Sequence, residues 1–269
     1  MAETAQSSTP PAPAAPAPRK WAVEPVAIGD ILEIMAAGLR DFRAAPWCGL
    51  IVGAFYMVSG WILVLLLLQF HLPFLVYPLV AGFALIAPFT AASFYAASRM
   101  IERKEPLSPA RVIGAVRHAA KRDLGWMALV TVFALFIWMD IAALLFFGFL
   151  GLNPGSVQDI LREIFTTPAG LLFLLIGNGA GAFLALFVFS ISVTSFPMLF
   201  DRDVDFVTAM VTSVQVVTKN PRAMIVWCVT IACLVGISLL SGLVALPVIL
   251  PVLGHASWHL YRRAVQPAA

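Results

Sequence analysis

The chain has 269 residues, of which 61% are hydrophobic and 12% are charged, and its formal net charge is +3. A soluble domain carries about twice that share of charged residues, and apolar runs here continue for a membrane-spanning length. A soluble fold is therefore excluded, and so small a positive charge does not indicate nucleic-acid binding.

The chain ends are predicted to be short tails around one membrane domain. Residues 1–25 are rich in proline and alanine, which predicts a disordered tail. This segment lacks the basic start and apolar core of a signal peptide. Residues 26–263 form the predicted membrane domain, and 264–269 a short C-terminal tail. Cys48, Cys228 and Cys233 have no metal or CxxC spacing, which favours buried thiols.

Six apolar runs are long enough to cross a bilayer, which takes roughly 20 residues each. They lie near 46–69, 73–97, 124–150, 168–199, 222–240 and 243–261. The sequence therefore predicts an all-α polytopic membrane protein with six transmembrane helices, arranged as three hairpins.

The lysines and arginines predict the orientation. With the amino terminus inside, sixteen of the 17 Lys and Arg residues lie on the inner side, and only Arg162 lies outside. Because basic residues accumulate on the cytoplasmic side, we expect a bacterial inner-membrane protein with both termini in the cytoplasm.

Each hairpin is preceded by a segment with helical apolar spacing. The predicted apolar stripes are Ile28, Ile31, Leu32, Met35, Leu39 and Phe42 in the first segment; Val112, Ile113, Val116 and Ala120 in the second; and Val207, Met210, Val211 and Val214 in the third. Asp30, Ser108 and Asp205 stand at the expected N-termini. This order predicts a threefold unit of interfacial helix and hairpin. The alternative is that any inner loop beside a membrane tends to be amphipathic and basic.

Asp140 is the one carboxylate far from any predicted span boundary. An ionised acid inside the membrane costs several kcal/mol, so we expect Asp140 to face the bundle, find a partner or be protonated. It is a candidate proton or cation site. The alternative is a protonated acid that is hydrogen-bonded to Asn178 or to a serine of the fourth span. Gly177 and Gly181 beside Asn178 have the spacing of a helix-packing motif.

His255 and His259 are four residues apart, hence on one helical face, and are weak candidates for metal or haem ligands. With no third ligand in sequence, histidines that face lipid headgroups are the favoured interpretation, and no metal or other cofactor is predicted.

Charged residues at the inner surface form a candidate surface for a partner or lipid: Arg111, Arg117, Lys121, Arg122, Asp201, Asp203 and Asp205. The acids have an alternative role at the N-terminus of a helix, where they complement its dipole.

Three stretches resemble a known family: Phe94–Glu105, the run from Pro197 through Asp201-Arg202-Asp203-Val204-Asp205 to Asn220-Pro221, and Gly254–Arg262. The family is a bacterial one of predicted integral membrane proteins of unknown function. Some of its members are labelled cytochrome c oxidase subunits. The resemblance implies a six-span inner-membrane protein and transfers no catalytic residues. The catalytic oxidase subunit itself has twelve spans and six ligand histidines, and four histidines here exclude that role.

Three function classes follow, of which the first is favoured. The first is a non-enzymatic accessory or scaffold protein that binds lipid or a membrane partner such as a respiratory complex. The second is a small transporter or channel that uses Asp140 and Asn178. The third is a redox protein, which requires His255 and His259 to face inward together.

Overall fold

The computed structural model describes residues 21–69, 76–121, 123–151 and 157–268. Its elements are β1 (Trp21–Val23), α1 (Ile28–Ala44), α2 (Pro46–Leu68), α3 (Val76–Glu102), α4 (Pro109–Ala120), α5 (Leu124–Leu150), α6 (Val157–Thr166), α7 (Pro168–Ser192), α8 (Ser195–Asp201), α9 (Phe206–Lys219), α10 (Pro221–Leu240), α11 (Leu246–Ala264) and β2 (Val265–Pro267). The predicted all-α class is confirmed.

Each predicted span overlaps a helix in the described part of the chain, but the spans differ in apolar character. Within the described residues, four helical segments are long and apolar enough to cross a membrane: α2, α5, α10 and the combined stretch of α7 and α8. α3 and α11 are outside that set. α11 has a mixed composition because its second half carries buried histidine, tryptophan and tyrosine side chains. The short amphipathic helix α6 before α7 was not predicted from the sequence.

Both predicted tails contain ordered residues, which corrects their boundaries. β1 pairs with β2 in an antiparallel sheet, with Ala22 opposite Gln266. The Glu24 amide continues the pairing by donating to the Ala264 carbonyl at 2.9 Å. Ordered chain therefore begins by Trp21, not after residue 25, and residues 265–267 are part of the fold. The rest of the predicted N-terminal tail lies outside the described residues.

α11 lies at the centre of the packing and contacts α1 and α2 closely. A Cβ on Gly38 of α1 would lie 2.7 Å from the Val252 carbonyl oxygen of α11. Gly49 and Gly53 of α2 abut Pro251 and Pro247 in the same way. Small residues allow helix backbones to approach this closely. The main partner of α1 is thus α11, at the far end of the chain, rather than the hairpin that α1 precedes.

The predicted apolar stripes of α1 and α9 include residues that are exposed in the structure. On α1, Ile28 and Leu32 are 52% and 77% exposed, whereas the buried positions are Ile31, Ile34, Gly38 and Asp41. On α9, Val207 and Val211 are exposed and Ala209, Thr212, Ser213 and Val216 are buried. On both helices some apolar side chains lie outward, while others, such as Ile31, Ile34 and Val216, are buried. An amphipathic helix at a membrane interface turns its apolar face to the lipid, so the exposed residues do not contradict the predicted interfacial helices.

Candidate functional site

A buried histidine cluster forms where α1, α3 and α11 meet. It consists of Asp41 from α1, Ser98 from α3, and His255 and His259 from α11. The close approach of α1 to α11 at Gly38, one helical turn before Asp41, brings the carboxylate to the two imidazoles. The one-turn spacing of the histidines places both rings on the same side of α11.

The four side chains are joined by short hydrogen bonds. Ser98 Oγ lies 2.6 Å from Asp41 Oδ2 and 2.8 Å from His255 Nδ1. His259 Nε2 lies 2.7 Å from the same Asp41 oxygen. Ser98 and His255 are fully buried, whereas the His259 side chain is 27% exposed. The cluster therefore runs from the protein surface at His259 to a closed interior at His255.

The hydrogen-bond partners assign the protons. A carboxylate only accepts, so the single hydroxyl proton of Ser98 is donated to Asp41. His255 then donates from Nδ1 to the Ser98 oxygen and carries a lone pair on Nε2. That Nε2 atom is buried and has no hydrogen-bond partner among the described residues. Its ring packs against Phe94, with the ring centroids 5.4 Å apart.

Asp41 is held as a carboxylate by its neighbours. Burial raises the pKa of the Asp41 carboxyl, but hydrogen bonds from His259 and Ser98 and the electrostatic influence of the two imidazoles oppose that effect. Their sum lowers the pKa of Asp41 below its ordinary value. The cluster is thus a buried carboxylate that accepts hydrogen bonds from Ser98 and His259, with His255 bonded to Ser98.

The arrangement differs from a nucleophilic triad. In a triad, histidine takes the serine proton and a carboxylate holds the opposite imidazole nitrogen. Here Asp41 accepts the Ser98 proton directly, and His255 is a donor to Ser98. The cluster is suited to holding charge and joining three helices, not to activating Ser98.

The two histidines therefore do not face lipid headgroups as predicted. His255 is fully enclosed, and His259 points inward to Asp41. They do face inward together, as the redox hypothesis requires. Nevertheless, across the described ranges no group of three His, Cys, Asp or Glu side chains has the arrangement of a metal site.

A second polar network lies beside the paired termini and centres on Asp201. The Tyr261 hydroxyl donates to Asp201 Oδ2 at 3.0 Å, and Arg202 Nε lies 2.9 Å from the same oxygen. Arg262 pairs with Glu102 at 2.8 Å, and Trp258 Nε1 donates to Glu102 at 3.2 Å. These contacts tie the ends of α3, α8 and α11 together.

Only some of the acidic residues predicted to form a docking surface are exposed. The Asp201 side chain is 4% exposed and is enclosed in the ion network, which corrects its predicted role in docking. Asp205 caps α9 by accepting from the Thr208 amide at 2.8 Å, which fits the helix-terminus alternative. Its hydrogen bonds from Thr208 lower the pKa of Asp205. Asp203 is exposed.

The predicted basic helix is present as α4. Ser108 caps it, accepting from the Arg111 amide at 3.4 Å. Arg111, Arg117 and Lys121 are exposed, as a docking surface requires. Arg122 lies outside the described residues.

Asp140 and Asn178 are not brought together. Asp140 is exposed on α5, while the Asn178 amide donates to the Leu174 carbonyl of its own helix at 2.7 Å. A cavity of about 180 Å³ between α5 and α7 is lined by Trp138, Ala142 and Asn178, among others. Three α5 residues line the cavity: Trp138 and Ala142, each two residues from Asp140 and so about 200° from it around the helix, and Leu145, five residues away and about 140° from it. It therefore points away from the cavity.

Of the two glycines in the predicted packing motif on α7, one lies against another helix and the other does not. Gly181 lies against the Trp138 ring of α5: a Cβ atom placed on this glycine would be 2.9 Å from the ring. Gly177 has open space around its Cα.

The sequence interpretation missed Asp41, Ser98 and Glu102 as functional candidates. A signal for Asp41 existed: it continues the spacing Ile31, Ile34, Gly38 on α1, so an acid closes the buried face. Ser98 and Glu102 carried no comparable signal, because their partners are remote in sequence. His255, the partner of Ser98, lies 157 residues away, and Arg262, the partner of Glu102, lies 160 residues away.

The fold and its long apolar helices define an all-α, multi-pass integral membrane protein. Comparison with known families agrees: residues 76–201 match the model of a family described as "Predicted integral membrane protein (DUF2189)". The match runs from the start of α3 to the end of α8, a little under half of the chain. No curated protein and no solved structure matches the chain.

Proposed function

We propose that this protein is a non-enzymatic accessory component of the bacterial inner membrane, which docks another integral membrane protein through the exposed face of α5. The observation that carries the proposal is the position of Asp140. It is an exposed carboxylate in the middle of a helix of 27 residues that is otherwise apolar.

Asp140 belongs to a regular exposed stripe on α5. The stripe is Trp126, Leu129, Phe133, Ile137, Asp140, Leu144 and Phe147, all exposed. Its spacing of three and four residues is that of a helix seam, in which a single polar residue selects register and partner. The partner we infer is a transmembrane helix with a hydrogen-bond donor or a base at the depth of Asp140, because an acid left in lipid is costly.

The same position weakens the transporter alternative. A transport path that uses Asp140 needs a polar cavity reaching it, and the cavity between α5 and α7 lies on the other side of α5.

We further propose six crossings with both termini in the cytoplasm. The pairing of β1 with β2 supports an even number of crossings, because it holds both ends of the described chain on one side. The excess of basic residues supports the cytoplasm as that side. A respiratory complex is the partner that the resemblance suggests.

Purification from native membranes in gentle detergent tests the proposal. We expect a membrane protein to co-purify with the wild type and with Asp140→Asn, which retains a hydrogen-bonding group. Asp140→Leu is expected to lose that partner. Leu175→Ala, at a 71% exposed position on α7, is the matched surface control. Equal partner recovery with Asp140→Leu, or recovery of no partner with the wild type, overturns the docking proposal. Loss of function in Asp140→Asn alone supports an ion site instead.

A further inference from the structure

A cavity of about 440 Å³ opens between the start of α1 and the junction of α9 with α10. Its walls include Val26, Ile28, Lys219, Pro221, Arg222 and Ala223. One wall is rigid because the Asn220 side chain accepts from the Val26 amide at 2.8 Å and donates to the Glu24 carbonyl at 3.2 Å. The cavity is therefore a built feature of the α1–α10 contact.

The cavity has unbalanced positive charge. Lys219 and Arg222 are exposed at its rim, and neither forms an ion pair with a carboxylate in the part of the chain that the structure describes. Asp30, in the first turn of α1, is already engaged: it accepts from the Ala27 amide at 3.0 Å and pairs with Arg263 at 3.1 Å. Two bases at one rim that form no ion pair with a carboxylate of the described residues favour an anionic ligand.

The backbone adds to this charge. α10 begins at the cavity with Pro221, and the amides of Arg222 and Ala223 in its first turn have no acceptor within the helix. α1 begins at the same cavity with Ile28. The positive ends of two helix dipoles therefore lie at the same opening.

Apolar residues continue from the cavity along α10. Ile225 and Val229 follow Arg222 at helical spacing and are 59% and 54% exposed. On the α1 side, Ile28 and Leu32 are also exposed. α10 is one of the long apolar helices, so this track leads from its polar start into the hydrocarbon region. A free anion would contact only the two bases. A phospholipid would contact the bases with its headgroup and the exposed apolar residues of α10 with an acyl chain.

We propose that this cavity binds the headgroup of an anionic phospholipid, with the phosphate at Lys219 and Arg222 and an acyl chain along Ile225 and Val229. Basic pockets between transmembrane helices on the cytoplasmic side are the kind of site that holds such headgroups. The site is independent of the α5 face and of any partner docked there.

The test compares full-length protein in nanodiscs of phosphatidylcholine alone with protein in nanodiscs that also contain phosphatidylglycerol. Retained lipid is identified by native mass spectrometry after transfer to detergent. We expect the wild type to retain phosphatidylglycerol. Lys219→Gln with Arg222→Gln is expected to bind it roughly 30-fold more weakly, since each base near an anionic surface contributes about 1 kcal/mol.

The matched control is Arg40→Gln with Arg43→Gln, which removes the same charge from exposed positions near the end of α1, at least three helical turns from the cavity. It is expected to retain phosphatidylglycerol like the wild type. Ile225→Ser tests the acyl track and is expected to weaken retention with both bases present. Circular dichroism and gel filtration establish that each variant is folded.

Two results overturn the proposal. One is equal retention of phosphatidylglycerol by the wild type and the Lys219/Arg222 double variant. The other is that inorganic phosphate or glycerol phosphate displaces the bound lipid at the same concentration as added phosphatidylglycerol does. That result assigns the site to a free phosphate.

Discussion

His259 Nε2 lies 2.7 Å from Asp41 Oδ2, although 218 residues separate the two in the chain. This contact joins the first helix to the last, and Ser98 extends it to the third helix through its own bond to Asp41. The buried histidine cluster is therefore a cross-link between elements that the chain order keeps apart.

Replacement of Asp41 tests the energetic importance of this cross-link. Asp41→Ala leaves Ser98 and His259 without their acceptor, and we expect the free energy of unfolding to fall by about 3 kcal/mol, as when one partner of a buried charged pair is removed. Urea unfolding in detergent, followed by circular dichroism, measures the change. Glu33→Ala, at an exposed position of the same helix, is the control and is expected to change stability little. Equal stability of both variants contradicts the role of Asp41.

The lowered pKa of Asp41 predicts a pH dependence with a definite sign. Because the folded-state pKa lies below the ordinary value of about 3.9, the contribution of Asp41 to stability is present above that value. It is lost as the pH falls through the folded-state pKa. We therefore expect the wild type to lose more stability than Asp41→Asn on acidification below about pH 5. Asp205, whose pKa is also lowered, contributes equally to both proteins. Parallel acid titrations of the two proteins contradict the prediction.

The contact between α2 and α11 is predicted to tolerate no added methyl group at Gly53. A Cβ there meets the backbone of Pro247, which has no flexible side chain to move away. We expect Gly53→Ala to lower the free energy of unfolding by about 1–3 kcal/mol through overpacking. Gly114→Ala on α4 has open space and is expected to stabilise by roughly 0.5–1 kcal/mol. Thermal melts of the two variants in one detergent compare them. A stabilised Gly53→Ala protein shows that the two helices lie further apart.

The cap of α9 gives a prediction with a conservative control. Asp205→Ala removes the acceptor for the Thr208 amide and is expected to cost about 1 kcal/mol of stability. Asp205→Asn keeps a good capping group and is expected to cost much less. Hydrogen exchange at the first turn of α9 measures the fraying directly. Similar exchange in both variants argues against capping by Asp205.

Asn220 is predicted to hold the N-terminal strand in place. Its amide bonds the Val26 and Glu24 backbones and also donates to the Val216 carbonyl at 3.1 Å. Asn220→Ala is expected to lower stability by roughly 1–3 kcal/mol and to speed proteolysis within residues 21–26. Thr218→Ala, whose hydroxyl bonds only to its own helix, is the control. Unchanged cleavage in Asn220→Ala contradicts this role.

The positions of the helices could be predicted from the sequence, but the faces that they turn toward the protein could not. The apolar runs and the capping residues Ser108 and Asp205 located α2, α4, α5, α9 and α10 closely. However, the apolar spacing did not tell which residues of α1 face the protein: Ile31 of the predicted stripe is buried, whereas Ile28 and Leu32 of the same stripe are exposed. Apolar periodicity identifies the buried face of a helix whose other face meets water. In a membrane the other face meets hydrocarbon, so residues that face the lipid and residues that face the protein are both apolar.

The sequence by itself determined that this is a helical membrane protein, which segments are long and apolar, and that Asp140 stands alone among them. Long uninterrupted apolar runs allow no other class, because backbone polar groups in lipid must be satisfied within a helix or a closed barrel. Only the tertiary structure decided that Asp140 faces outward and that His255 and His259 face Asp41. Those outcomes depend on which helices approach closely, and the approach of α1 to α11 at Gly38 joins residues that no local spacing relates.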